Sequence, residues 1–95
     1  MAKLQAKNTT VSTQNNTTTV TLHETPIVQF DDEKIVLRNN GYNTQTTKRR
    51  MNQVADVFGL PYYITQLHGK WWVTKKTRGE CVEFFDGIAI PRQPR

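Results

Sequence analysis

The sequence predicts an α+β domain: a small, largely antiparallel sheet with one amphipathic helix packed on one face. Short runs that alternate apolar and polar residues lie on both sides of a single segment with helical periodicity. Compact turn signals, such as Asn39-Asn40-Gly41 and His68-Gly69, separate neighbouring runs and favour hairpins. The length of 95 residues suits one domain with a small core.

A disordered polar tail is predicted for residues 1–18. This stretch is rich in Asn, Thr and Gln, and Leu4 and Val11 are its only sizeable apolar side chains after the first residue. Such a composition buries too little apolar surface to offset the entropy lost on ordering. We therefore expect a single domain over residues 19–90 and a loose basic C-terminus over residues 91–95.

Three strands are predicted before the helix and three after it, in the order βββ-α-βββ. Residues 19–23 alternate strictly, which places Val20 and Leu22 on the inner face. The other five predicted strands cover residues 27–30, 34–38, 62–67, 70–75 and 81–85. After the last of them, a turn at Asp86-Gly87 leads into residues 88–90.

The helix is predicted over residues 48–58, with Thr46 or Thr47 as its N-cap and Gly59 just after its end. Apolar residues recur there at i, i+3, i+4 and i+7, as one face of a helix requires: Met51, Val54, Ala55 and Phe58. The predicted core unites Val20, Leu22, Ile35, Leu37, Met51, Val54, Phe58, Trp71, Val73, Val82 and Phe84.

Three cations, Lys48, Arg49 and Arg50, occupy the predicted first turn of this helix. Acidic residues are favoured at that position, because unpaired N–H groups make the end of the helix positive. A local rule broken in this way often marks a functional site, and a bound phosphate would relieve the conflict. The alternative is that these cations point outward and pair with carboxylates of the acidic turn at residues 31–33.

The net charge of +5 lies entirely in the second half of the chain. Residues 1–40 carry four basic and four acidic residues, whereas residues 41–95 carry nine basic and four acidic ones. Clustered positive charge is the first sign of a nucleic-acid partner, although ordinary proteins also carry it.

Aromatic residues alternate with cations in the hairpin that follows the helix. Because successive strand side chains face opposite ways, one of Trp71 and Trp72 enters the core. We place Trp71 inward with Val73, which leaves Trp72 to stack on a base, or alternatively to cover an edge of the sheet. The predicted anion-binding or nucleic-acid-binding site comprises Thr46, Thr47, Lys48, Arg49, Arg50, Lys70, Trp72, Lys75, Lys76 and Arg78.

Enzyme classes find no support in the sequence, which lacks a nucleophile elbow, a Gly-rich phosphate loop, H-E-x-x-H and C-x-x-C. His23 and His68 are expected at the surface. Cys81, the single cysteine, is expected to be a structural residue of a strand. We expect no catalytic residue, no metal and no cofactor. No signal peptide or membrane span is evident, so the protein is expected to be soluble and intracellular.

A longer motif resembles a group of small bacteriophage proteins that carry a Gly-aromatic pair, Thr-Thr-Lys, and a helix beginning Arg-Met-Asn. It runs from Gly41-Tyr42 through Thr46-Thr47-Lys48 to Arg50-Met51-Asn52, with Thr25-Pro26-Ile27-Val28 upstream and Phe85-Asp86-Gly87 downstream. The chain departs from that pattern at Tyr42, where Trp is expected, and in its long polar tail. The resemblance implies a viral accessory protein in the cytoplasm of a bacterial host. It supplies no biochemical activity.

The favoured interpretation is a non-enzymatic module that binds DNA or RNA without sequence specificity, because phosphate contacts position a protein but carry no sequence information. No helix-turn-helix, zinc-finger or RNP-type motif is present. Two alternatives remain open. One is an inhibitor or modulator of a host factor, which would use the basic face against an acidic protein or donate an edge strand. The other is a minor virion component.

Overall fold

Eight strands and one helix form within residues 8–41, 44–76 and 79–92, which the computed structural model describes. The first strands are β1 (Thr9–Gln14), β2 (Thr17–Leu22), β3 (Thr25–Phe30) and β4 (Lys34–Leu37). The elements that follow are α1 (Gln45–Phe58), β5 (Tyr62–Leu67), β6 (Lys70–Lys75), β7 (Glu80–Glu83) and β8 (Ile88–Pro91).

These strands build two antiparallel sheets with helix α1 between them, which confirms the α+β class. The five-stranded sheet has the order β1-β2-β3-β4-β8, and the three-stranded sheet has the order β5-β6-β7. The helix contacts β2 and β3 of the first sheet and β5 of the second. The prediction of a single sheet is therefore wrong, because the hairpin after the helix packs on its opposite side and does not extend the first sheet.

Strand β1 corrects the prediction that residues 1–18 are a disordered tail. It pairs with β2 along its whole length, from Thr9 opposite Leu22 to Gln14 opposite Thr17. Asn15 and Asn16, at φ 52° and 68°, form the two-residue turn. Such turns require positive φ, which Asn tolerates. The strand is held by backbone pairing and needs little apolar burial, so composition alone misjudged it. Residues 1–7 of the predicted tail lie outside the described residues.

The other end of the chain corrects both the predicted strand order and the predicted loose C-terminus. Strand β8 lies beside β4, with Ile90 opposite Ile35, so a fourth strand follows the helix. Arg92 is also fixed: its backbone N–H donates to the Glu33 carbonyl at 2.9 Å, and its Nη1 donates to the Asp31 carbonyl at 2.8 Å. Residues 93–95 lie outside the described part of the chain.

Helix α1 begins three residues earlier than predicted. Thr44, in an extended conformation, is the N-cap: its Oγ1 accepts from the Thr47 N–H at 3.2 Å. Its carbonyl accepts from the Lys48 N–H at 3.1 Å. Neither Thr46 nor Thr47 is the cap, because both already lie inside the helix. The predicted end is correct, since the helix stops at Phe58 and Gly59 follows in the left-handed region at φ 66°.

The core lies between the two sheets and the helix. Eight of the predicted core residues are buried, and the other three, Phe58, Val82 and Phe84, are partly buried against them. Trp71 is 2% exposed, which confirms its predicted inward position. The Tyr62 hydroxyl donates to the Met51 carbonyl at 2.5 Å and joins β5 to the helix. The buried residues missing from the prediction are Ile27, Val28, Phe30, Ala55, Leu60, Tyr62, Ile64, Ile88 and Ile90.

Candidate nucleic-acid interface

The cations at the start of the helix lie in its second turn. With Thr44 as the cap, the first turn holds Gln45, Thr46 and Thr47, and it contains no acidic residue. Lys48, Arg49 and Arg50 are therefore beyond the turn where the helix dipole acts most strongly. The prediction that these cations occupy the first turn is therefore wrong. The predicted cap, Thr46 or Thr47, lies two or three residues after the observed cap, Thr44.

These three cations also point in different directions. Successive helix residues are rotated by about 100°, so three consecutive side chains cannot converge on one anion. Lys48 is half-buried on one flank, Arg49 is exposed, and the Arg50 Nη1 donates to Gln53 Oε1 at 2.6 Å. The helix start therefore does not form a single phosphate-binding cluster.

The alternative pairing with the acidic turn is not formed either. Among the described residues, the salt bridges join cations of β6 to glutamates of β7 and none involves Lys48, Arg49 or Arg50. The Asp31 carboxylate instead accepts from the backbone N–H groups of Glu33 at 2.8 Å and Lys34 at 3.0 Å. These bonds lower the pKa of Asp31.

The two predicted threonines have structural contacts at the helix start. Thr47 is 8% exposed, and its hydroxyl lies 2.9 Å from the Thr44 hydroxyl. Thr46 is exposed. Both line a pocket of about 350 Å³ below the turn that joins β2 to β3, together with Leu22, His23, Thr25, Ile27, Asn39 and Thr44.

Strands β5, β6 and β7 turn one face toward the helix and the other toward solvent. Trp72 lies opposite Thr65 on one side and Glu83 on the other, and the next row joins Tyr63 to Thr74. Paired residues share a face, so these side chains lie together. We call this solvent side the outer face and define it by Tyr63, Thr65, Leu67, Lys70, Trp72, Thr74, Cys81 and Glu83, with Lys76 at its margin.

Two aromatic rings lie on the outer face. Tyr63 is 48% exposed, and Trp72 is half-buried. They belong to adjacent rows on neighbouring strands, and such diagonal pairs lie about 7–8 Å apart, within reach of aromatic side chains. The Trp72 indole Nε1 is buried and has no hydrogen-bond partner among the described residues. The two aromatic side chains therefore share one face of the sheet in adjacent rows.

Amines lie at both ends of the aromatic pair. The Lys76 Nζ is 6.0 Å from the centre of the Tyr63 ring, within range of a cation–π contact. The Lys70 Nζ is 3.9 Å from Glu83 Oε2, and both side chains are more than half exposed. An exposed pair of this kind contributes little to stability.

The structure divides the predicted site between two sides of the three-stranded sheet. Lys70, Trp72 and Lys76 lie on the outer face, while the helix packs on the inner one. Lys75 shares the inner side with Tyr62, and its Nζ lies 3.8 Å from Glu80 Oε1. Arg78 lies outside the described residues.

Tyr63 belongs to the candidate interface, although the predicted site omitted it. The signal was available, because the His68-Gly69 turn fixes the pairing of the two strands. That pairing places Tyr63 opposite Thr74, on the face of Trp72. Every second residue outward from the turn lies on one face, and this count reaches Tyr63 on one strand and Trp72 on the other.

Within the residues that the structure describes, no group of three or more His, Cys, Asp or Glu side chains could hold a metal ion. No helix in the same residues is both long and apolar enough to cross a membrane.

Comparison with known proteins gives a match to a protein family. A family model described as Kyanoviridae Gp96 protein matches residues 1–91. Neither the curated proteins nor the solved structures contain a match to this chain.

Proposed function

The chain belongs to the Kyanoviridae Gp96 protein family and is a small phage protein, and we propose that it binds single-stranded nucleic acid on its outer face. The proposed role is non-enzymatic and takes place in the cytoplasm of the bacterial host. The observation that carries this proposal is the pair formed by Tyr63 and Trp72 with amines at its ends.

Stacking on aromatic rings favours an unpaired strand. The faces of bases in a duplex are already stacked on one another, whereas bases of a single strand can lie on Tyr63 and Trp72. Each stacked base contributes about 1–3 kcal/mol, and every base has such a face. The expected binding is therefore tolerant of sequence.

Lys70 and Lys76 supply the contacts to phosphate. They lie at the ends of the aromatic pair, one in β6 and one directly after it. Each phosphate neutralised on a single strand contributes about 0.7 to the slope of log affinity against log salt. With only two lysines in contact with phosphate, we expect log affinity to fall only gradually with log salt.

Fluorescence anisotropy with a labelled oligothymidylate of about 15 nucleotides tests this proposal. Tyr63→Ala should weaken binding by roughly 5- to 150-fold, which is the loss of one stacked base. Tyr63→Phe should retain most of the affinity, because the ring remains. Phe85→Ala is the matched control: Phe85 is 61% exposed but lies outside the three strands.

Lys76→Gln separates the electrostatic part of binding from stacking. We expect weaker binding with a salt slope reduced by about 0.7, since one phosphate contact is lost. The proposal fails if the unmodified protein shows no salt-dependent binding to the oligonucleotide. It also fails if the protein retains one bacterial protein from a lysate after nuclease treatment and the Tyr63→Ala variant retains it equally.

A further inference from the structure

Glu83 is the one carboxylate among the residues that define the outer face, and it lies directly opposite Trp72. A negative charge repels phosphate, so Glu83 does not serve the electrostatic part of the proposed binding. Its position beside an aromatic ring gives it access to a different part of a nucleotide, namely the base.

The pairing of β6 with β7 brings the side chains of Trp72 and Glu83 close together. The Phe84 N–H donates to the Trp71 carbonyl at 2.9 Å, so Trp71 and Phe84 are a hydrogen-bonded pair at the end of this ladder. Hydrogen-bonded and non-hydrogen-bonded pairs alternate along an antiparallel ladder, so the next pair, Trp72 with Glu83, is non-hydrogen-bonded. In such pairs the Cα atoms are only about 4.5 Å apart, and the side chains are closer than in the other kind.

The Glu83 carboxylate is available to a ligand. Its side chain is 53% exposed, and its polar contact among the described residues is the Lys70 amine, with Nζ 3.9 Å from Oε2. That distance is longer than a hydrogen bond. An ionised carboxylate accepts about four hydrogen bonds through its two oxygens. Both oxygens of Glu83 therefore keep the capacity to accept from a base.

The bases differ in what their free edges offer to a carboxylate, and in a single strand these edges are exposed. Guanine presents two neighbouring donors, N1–H and the exocyclic amine at N2, which match the two oxygens of one carboxylate. Adenine and cytosine each present one amine next to a ring-nitrogen acceptor. Thymine and uracil present one N–H between two carbonyl oxygens, which repel a carboxylate. Guanine is therefore the base that a carboxylate binds best.

We propose that Trp72 and Glu83 form a guanine-preferring subsite on the outer face. The base stacks on the Trp72 ring, and the Glu83 carboxylate accepts from its N1–H and its N2 amine. This inference rests on the proposed binding of single-stranded nucleic acid and adds a base preference at one position. Stacking and phosphate contacts do not distinguish the bases, so the preference comes from Glu83.

Tyr63 is expected to keep its tolerance of every base. Its row joins it to Thr74 and Cys81 and contains no carboxylate. A bidentate contact with the correct base changes affinity by about 5- to 150-fold. Because the Glu83 side chain is half exposed, water competes for the same donors, and the low end of this range applies.

Fluorescence anisotropy with three labelled oligonucleotides of about 15 nucleotides tests this preference. One is oligothymidylate, the second alternates thymidine with guanosine, and the third has hypoxanthine in place of guanine. The guanine oligonucleotide should bind about 3-fold or more tighter than oligothymidylate, because guanine lies on Trp72 in half of the possible registers. Hypoxanthine is a purine that lacks only the N2 amine, so it separates this contact from the stronger stacking of a purine. It should lose most of the gain.

Replacing Glu83 with Ala should abolish the difference between guanine and hypoxanthine. Binding of oligothymidylate should be at least as tight as before, because a charge that repels phosphate is gone. Glu80→Ala is the matched control: it removes a glutamate of the same strand from its pair with Lys75, on the other side of the sheet, and should keep the preference. Melting curves check that both variants are folded.

The subsite is overturned if the unmodified protein binds the guanine and hypoxanthine oligonucleotides equally, or if Glu83→Ala still prefers guanine. It is also overturned if Glu83→Ala loses affinity for all three oligonucleotides by the same factor, since that result indicates a structural role. In each of these cases the proposed single-strand binding stands. Absence of binding to every oligonucleotide overturns both proposals.

Discussion

Asn52 has the most specific single role among the helix residues. Its Nδ2 donates to the Ile64 carbonyl at 2.9 Å, and its Oδ1 accepts from the Ile64 N–H at 2.8 Å. A side-chain amide has a carbonyl acceptor and two N–H donors. The Asn52 amide uses one donor and its oxygen to bond both backbone groups of Ile64, as a neighbouring strand would. Asn52 therefore fixes the position of β5 on the helix.

Replacing Asn52 with Ala should lower the free energy of unfolding by about 1–3 kcal/mol, because both backbone groups of Ile64 lose their partner. Urea unfolding measures the change. Arg49→Ala on the exposed side of the same helix is the control and should change stability by less than about 0.5 kcal/mol. Equal effects of the two substitutions would contradict this role of Asn52.

Tyr62 predicts a loss of stability at high pH. Burial raises the pKa of its phenol, with a smaller contribution from the Asp56 carboxylate. The folded protein therefore keeps the proton at a pH where the unfolded phenol, with a pKa near 10, releases it. The resulting stabilisation is complete below about pH 10 and is lost as the pH rises above that value.

Unfolding measured between about pH 9 and about pH 11 should show stability falling by up to roughly 1.4 kcal/mol per pH unit from this group. Tyr62→Phe should be less stable at neutral pH, since the hydroxyl bond to the Met51 carbonyl is lost. As the pH rises, the stability of the Tyr62→Phe variant should fall less steeply than that of the unmodified protein. Parallel pH profiles for the two proteins would show that Tyr62 is not responsible.

At the scale of elements, the helix shows which features a sequence can predict. Its buried face and its end followed from apolar spacing and Gly59, because both depend on residues close in sequence. Its start did not, because several threonines compete for the cap. Thr44 is the threonine that has the extended backbone conformation of a cap and accepts from the Thr47 N–H. The alternation that placed Trp71 inward succeeded for the same local reason.

Because Thr44 is the N-cap, the helix dipole acts most strongly on residues 45–47 and less on residues 48–50. Thr46 is exposed and lies in the first turn, so Thr46→Glu should raise stability by about 0.3–1 kcal/mol. Arg49→Glu, one turn later, should have a smaller effect, because the dipole acts mainly on the first turn. Urea unfolding at low and high salt measures both. Thr46→Gln isolates the charge, and a larger effect at position 49 than at position 46 would place the helix start later.

At the scale of the whole molecule, the two sheets decide which parts of the predicted site can act together. The helix start and Trp72 lie on opposite sides of the three-stranded sheet, so one ligand cannot contact both across the sheet. The predicted site combined these two regions because both are rich in cations. The sequence does not show how the second sheet is oriented on the helix, so it could not separate them. The aromatic pair on the outer face could be derived once the His68-Gly69 hairpin set the register.

Chemical-shift mapping is the most direct test of nucleic-acid binding on the outer face. Titrating the isotope-labelled chain with oligothymidylate should shift the amide signals of Tyr63, Thr65, Trp72 and Thr74, and the indole N–H of Trp72. Signals of α1 (Gln45–Phe58) should move little, because the helix lies on the other side of the sheet. Shifts concentrated at the helix start, or no shifts at saturating oligonucleotide, would contradict the account.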